Sequence, residues 1–332
     1  MKDITQKQKQ DTDEEVLSRV PDNKQKIKWV YVVYFTLVHI LAIIGLYNFC
    51  NAKYQTIIFS FVVGGIGGFG VTGGAHRYYS HKSFKANLPL QIILLLCYSV
   101  SGQHSLVTWV RDHRMHHKFS ETDADPHNAN RGFFYAHIGW LMQHHHPEYY
   151  KRSSNIDVSD IINDPLVQFH AKRVSFLFLR YFFLAKILIC FVLPIIIPVY
   201  AWNESWKISL LVPGILRYVC NLNFTFSVNS IAHFWGHKPY NKSIQPVQNL
   251  IVSILAMGEG WHNYHHVFPM DYRTSELGGY LFNLTTMWLD FFARIGWAYD
   301  LKTPSEQLVR RVAINHGDGS WHDASDKIIL GK

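Results

Sequence analysis

The residues most able to do chemistry are histidines in three compact patterns. His76 and His81 form HxxxxH, His113, His116 and His117 form HxxHH, and His262, His265 and His266 repeat HxxHH far downstream. On a helix, positions i, i+3 and i+4 share a face, so each HxxHH predicts three imidazoles aimed at one point. Neutral imidazole is a good ligand for iron or zinc. A fourth element places Asn229 and His233 four residues apart on another common face. Nine imidazoles exceed the four that close a structural zinc site, which predicts two metals. Breaking an unactivated C–H bond needs O2 activated at a redox metal, and zinc has no redox chemistry. The acids Asp112, Glu121, Asp123, Asp125 and Glu259 are candidates to orient the ligand imidazoles from behind. His39, His127, His137, His170, His237, His316 and His322 read as packing or surface residues, and His144-His145-His146 is a run rather than a helical-face pattern.

These patterns need elements to position them, and hydropathy supplies membrane helices. Hydrophobic residues make up 48% and aromatic residues 15% of the chain, yet the mean hydropathy is only -0.02, so apolar blocks alternate with polar ones. Residues 1–28 carry 13 charged side chains and no apolar core, and predict a flexible tail without a secretory signal. Trp29–Phe49 and Gln55–Ala75 are long enough to cross about 30 Å of hydrocarbon at about 1.5 Å per residue. Together they predict a transmembrane hairpin over 29–75. Phe182–Tyr200 and Trp206–Val228 predict a second hairpin over 182–228, with Lys186 placed to snorkel to the interface and Arg217 a functional or pairing candidate. Leu88–Val100 is too short for a span and reads as interfacial or re-entrant. The polar blocks 76–181 and 229–310 then form the two parts of a cap, followed by a tail over 311–332. The fold class is therefore an all-α integral membrane protein: four transmembrane helices beneath a cytosolic helical cap.

Topology tests the metal reading independently. For the histidine patterns to meet, the chain between them must cross the membrane an even number of times, and the hairpins give zero and two crossings. Lysine and arginine are sparse in the connections within each hairpin and concentrated on the other side, which places both termini and the cap in the cytosol. The four cysteines are scattered and form no CxxC pair, which points to reduced thiols. The net charge of +8 lacks a basic stripe interleaved with aromatics, so it favours membrane lipid or an acidic partner over nucleic acid. A histidine-rich zinc transporter, the reading from another class, would place its ligands within the spans along a pathway. Here they cluster at span ends and in the cap.

At this point the sequence resembles the membrane fatty-acyl desaturases, specifically the animal acyl-CoA Δ9-type enzymes with an insect-like flavour. The resemblance is carried by Gly74-Ala75-His76-Arg77 with His81, Trp109 through Thr122, Asp125-Pro126-His127-Asn128, Val228-Asn229-Ser230 and Gly258 through His266. It implies two non-haem irons held by His76, His81, His113, His116, His117, His233, His262, His265 and His266, with Asn229 reaching one metal through water. It implies an acyl tunnel bent at Gln103, Trp109 and Thr225, a CoA headgroup met by Arg111 and Asp112, and a cis double bond at Δ9. The endoplasmic reticulum membrane, a long-chain acyl-CoA, O2 reduced to water, and electrons from cytochrome b5 with its NADH- or NADPH-dependent reductase follow from the same likeness. Other regiochemistry (Δ11 or Δ12), or an acyl hydroxylase or acetylenase, is the alternative that shares this ligand set. Two departures stand out. His144 and His145 replace an Arg-Lys pair that would meet CoA phosphates, and neutral imidazoles hold phosphate less strongly. Gly64 and Gly68 replace larger residues near the closed end of the tunnel, which predicts a deeper tunnel and longer chains.

Overall fold

The computed structural model describes residues 25–171, 173–174, 179–276 and 279–321. The tail expected over 1–28 lies outside the described residues up to position 24, as does the C-terminal tail from position 322, His322 included.

The chain is built around helices α1 (Trp29–Tyr47), α2 (Tyr54–Ser80), α3 (Leu88–Ser101), α4 (Leu106–Phe119), α5 (Phe183–Trp202), α6 (Trp206–Phe234), α7 (Leu250–Leu255), α8 (His262–Val267), α9 (Leu284–Arg294) and α10 (Glu306–His316), with further short helices and turns between. Helices α1, α2, α5 and α6 are each long and apolar enough to span a membrane. On α1, Val30, Val33, Leu37, Ile43 and Leu46 face outward, as hydrocarbon rather than water would require. Strands among the described residues are two antiparallel two-residue ladders, Lys85–Ala86 with Ala298–Tyr299 and Arg173–Val174 with Leu179–Arg180.

Helix α2 runs five residues past the expected end at Ala75, its last part (Gly70–Ser80) π-wound, so His76 sits inside a continuous helix. At Gly70 a Cβ would come within 2.1 Å of the Cys97 carbonyl carbon, so glycine is what lets α2 press against α3. Helix α3 begins where the Asn87 side chain accepts from Leu90 N at 3.1 Å. It ends at Gly102, whose φ of +67° lies in the left-handed region. Ser105 then caps α4, and the two helices meet at 86°.

Arg217, buried within α6, is explained by backbone. Its Nε donates to Pro213 O at 2.9 Å and Nη1 to Val100 O at 3.1 Å, while Nη2 donates to Cys190 O. The guanidinium thus ties α6 to the end of α3 and to α5, satisfying carbonyls that have no water to turn to. At the far end of the bundle Glu204 closes both hairpin turns. Its Oε2 accepts from Thr56 Oγ1 at 2.6 Å and Lys53 N at 2.9 Å, and Oε1 accepts from Ser205 N at 2.9 Å.

Candidate metal centre

The nine histidines converge at the end of the bundle where α2 and α6 terminate, and they form two groups. His76, His81, His113, His117 and His265 make one, and His116, His233, His262 and His266 the other, with ring nitrogens in each group within 4.8 Å of one another. The expectation that each HxxHH aims at a single point is therefore corrected. In α4, His113 and His117 join the first group and His116 the second; in α8, His262 and His266 join the second group and His265 the first. The reason is helical geometry. Residues i and i+4 differ by about 40° around the axis, but consecutive residues differ by about 100°. Each helix thus lends a pair to one site and a single imidazole to the other.

Within the first group, Nε2 of His265 lies 2.9 Å from Nε2 of both His76 and His117, and His81 Nε2 lies 2.7 Å from His113 Nε2. In the second, His262 Nε2 lies 3.1 Å from both His233 and His266, and His266 lies 3.2 Å from His116. Burial, and then neighbouring imidazoles, push His81, His113, His117, His262, His265 and His266 well below the ordinary value of 6.5. Neutral rings with lone pairs turned on one another cannot all share protons, whereas a central cation satisfies every one. The residues present fit two metal ions.

Carboxylates stand behind the ligands, as the sequence suggested without saying which. Glu121 Oε1 accepts from His233 Nδ1 at 2.8 Å, and Asp125 lies 3.0 Å from His116 Nδ1. Glu259 Oε2 lies 2.9 Å from His76 Nδ1, at ion-pair distance without hydrogen-bond alignment. Burial would raise Glu259, but the Arg77 guanidinium, donating from Nε at 3.0 Å, and His76 hold it below the ordinary carboxylate value. Burial likewise opposes ionisation of Asp125, and His116 and His127 outweigh it. Asp112 and Asp123 do not serve this role. Asp112 accepts from Tyr149 Oη, and its burial pushes its pKa up to about 6, while Asp123 lies 4.0 Å from His146.

His127, read from sequence as packing or surface, is buried with its ring 4.3 Å from that of His116 and its Nδ1 3.6 Å from Asp125 Oδ1. The sequence signal for it was the Asp125-Pro126-His127-Asn128 motif shared with the family, which assigned it no role. His137 bridges Ser230 Oγ and Asn223 Oδ1 at 2.8 and 3.0 Å, a packing role as expected.

Two apolar cavities meet beside the histidines. One, of about 460 Å³, runs along α2 and α6 past Gly64, Gly65, Gly68 and Asn221 to His76, His116 and His262. The other, of about 590 Å³, lies among α1, α5, α6 and the α3–α4 turn and reaches Asp112 and His127. Both are lined by Trp109, His113, Thr225 and Asn229. At their junction Trp109 Nε1 donates to Gln103 Oε1 at 2.8 Å and Gln103 Nε2 donates to Thr225 Oγ1 at 2.9 Å. A Cβ at Gly64 would make ordinary contacts with Asn221 and Arg217 at 3.5 and 3.6 Å, whereas at Gly68 the Met257 sulfur stands 2.6 Å away. Arg111 lies 3.9 Å from Asp112 with its side chain 36% exposed. His145 stacks on Tyr149 at 4.0 Å between centroids, and His144 is exposed. Lys186 Nζ donates to Gln103 O, in the α3–α4 turn, at 3.3 Å.

Four membrane-length helices carrying a buried, two-part histidine centre that fits metal ions, beside two apolar cavities with shared walls, define a membrane protein with room for a long apolar substrate. The family model described as fatty acid desaturase matches residues 52–278, and the chain belongs to that family. It is 51% identical over 318 residues to the acyl-CoA Delta(11) desaturase of Trichoplusia ni, covering 93% of this chain and 88% of that relative. It is 48% identical over 298 residues to the acyl-CoA Delta-9 desaturase of Acheta domesticus, covering 90% and 81%. The acyl-CoA Delta12-desaturase of the same cricket is 44% identical over 299 residues, again covering 90% and 81%.

Proposed function

We propose that this protein is an O2-dependent acyl-CoA desaturase that places a cis double bond at Δ9 of a long-chain saturated acyl-CoA, with two non-haem irons as cofactors. The observation that carries the reading is the meeting of both histidine groups with the bend at Gln103, Trp109 and Thr225. When bound, the irons would supply the O2-derived oxidising power for removing hydrogen from adjacent carbons. The protein's own residues do the rest. The first group (His76, His81, His113, His117, His265) and the second (His116, His233, His262, His266) would hold the metals, and Asn229 would reach one of them through water. Glu121, Asp125 and Glu259 fix the ring orientations. The apolar walls exclude water, and the hydrogen-bonded triad holds the chain bent so that one pair of carbons faces the centre.

Arg111, with Asp112 behind it, meets the CoA headgroup at the mouth of the second cavity. O2 is reduced to water, with the electrons not taken from substrate delivered by cytochrome b5 and its reductase, whose acidic surface the net charge of +8 suits. The enzyme resides in the endoplasmic reticulum membrane with both termini and the cap cytosolic. Desaturation at Δ11 is the second reading, favoured by the Trichoplusia relative at 51% identity.

The test is expression in desaturase-deficient yeast of the native chain and of His265→Ala, with double-bond positions mapped by mass spectrometry. New cis-monoenes from the native chain alone support the assignment and report position and chain length together. Hydroxylated or acetylenic products would replace it with the corresponding activity. No product from an iron-loaded protein would remove the acyl-CoA reading.

A further inference from the structure

Among the described residues lining the second cavity, Lys186 is the one lysine or arginine. It opens the π-wound segment Lys186–Val192 of α5, a winding that recurs at functional positions because it re-aims side chains. Its ammonium carries three N–H groups. One donates to Gln103 O at 3.3 Å, and no carboxylate of a described residue lies within ion-pair distance. Asp112 lines the same cavity but is occupied by Tyr149 and Arg111. A cation placed in a membrane helix without a counter-ion is costly, so its retention asks for a ligand.

The cavity has a definite occupant if it receives the carbonyl end of an acyl thioester, the reading given above, on which this inference rests. A saturated acyl chain has no polar atom of its own; the first is the thioester carbonyl oxygen, an acceptor suited to an ammonium. We propose that Lys186 holds that carbonyl oxygen and so fixes how many carbons separate it from the histidine centre. The anchor and the bend are mechanically one unit. Lys186 is hydrogen-bonded to the backbone of Gln103, and the Gln103 side chain holds Trp109 and Thr225. Lys186 is thus a binding and register-setting residue, distinct from the headgroup pair Arg111 and Asp112.

The experiment compares native chain, Lys186→Met and Lys186→Gln in yeast microsomes, each normalised to protein present and assayed with stearoyl-CoA. The readouts are KM and the positional isomers of the monoene. Losing a charge-assisted hydrogen bond raises KM about tenfold in Lys186→Met, and its product spreads to neighbouring positions. Lys186→Gln keeps a neutral donor and shifts both readouts less, which also keeps the test open if the Met variant does not accumulate. A single unchanged isomer with KM within about twofold of native, or a loss confined to protein amount, overturns the proposal and leaves Lys186 as a helix tie. Absence of product from the native chain would instead sink the desaturase reading itself.

Discussion

Trp109 donates its indole N–H to Gln103 Oε1 at 2.8 Å while its ring lies stacked beside that of His113, 5.1 Å between centroids. One side chain therefore touches both the bend in the cavity and a metal-site histidine. Trp109→Phe keeps the stack but leaves Gln103 Oε1 without its donor, at a cost of about 1–3 kcal/mol. The expected result is a roughly ten- to hundredfold fall in turnover with metal content intact. Single-turnover product yield against iron per protein checks it.

Gly64 has room for a side chain that would project into the first cavity. Gly64→Tyr is expected to shift product toward shorter acyl chains while leaving double-bond position alone. Competition between acyl-CoAs of different length reads this, and an unchanged length profile would refute the deeper-tunnel expectation.

Asp125 accepts from the backbone of Glu121 and His127 as well as facing His116. Asp125→Asn alters the group that orients a ligand, and outer-layer changes of this kind typically cost about 10–100-fold in metal affinity or activity. Metal retained after dialysis against a chelator should drop accordingly, with the second site emptied first.

Glu204 supplies the pH prediction. Burial would raise its pKa, but the Thr56 hydroxyl and the backbone N–H groups of Lys53 and Ser205 hold it below the ordinary 4.5. A carboxyl with a depressed folded value stabilises the fold above about 4.5, and that contribution is lost as pH falls through the folded value. Glu204→Gln should thus lower the melting temperature at pH 7, and the gap to the native protein should narrow as pH falls below about 4.5. A gap that stays constant as pH falls would contradict this.

The sequence made the four span-length helices and all nine clustered imidazoles legible, because apolar run length and histidine spacing are local signals. It did not reveal how the imidazoles divide. His116 and His117 point about 100° apart, and which metal each meets depends on α8, far away in the chain. Arg217 was opaque for a similar reason: its acceptors Val100 and Cys190 are remote carbonyls, which carry no side-chain signature. His127 follows no helical period and sits in a turn after α4, where spacing arguments have no purchase.

The crossed distribution of histidines has a consequence for biosynthesis. The first site waits for His265 and the second for His262 and His266, all on α8 and all made after both hairpins. A chain that stops before α8 holds only part of each site. Synthesis of α8, rather than insertion of either hairpin, is therefore the event that brings both histidine groups to full strength.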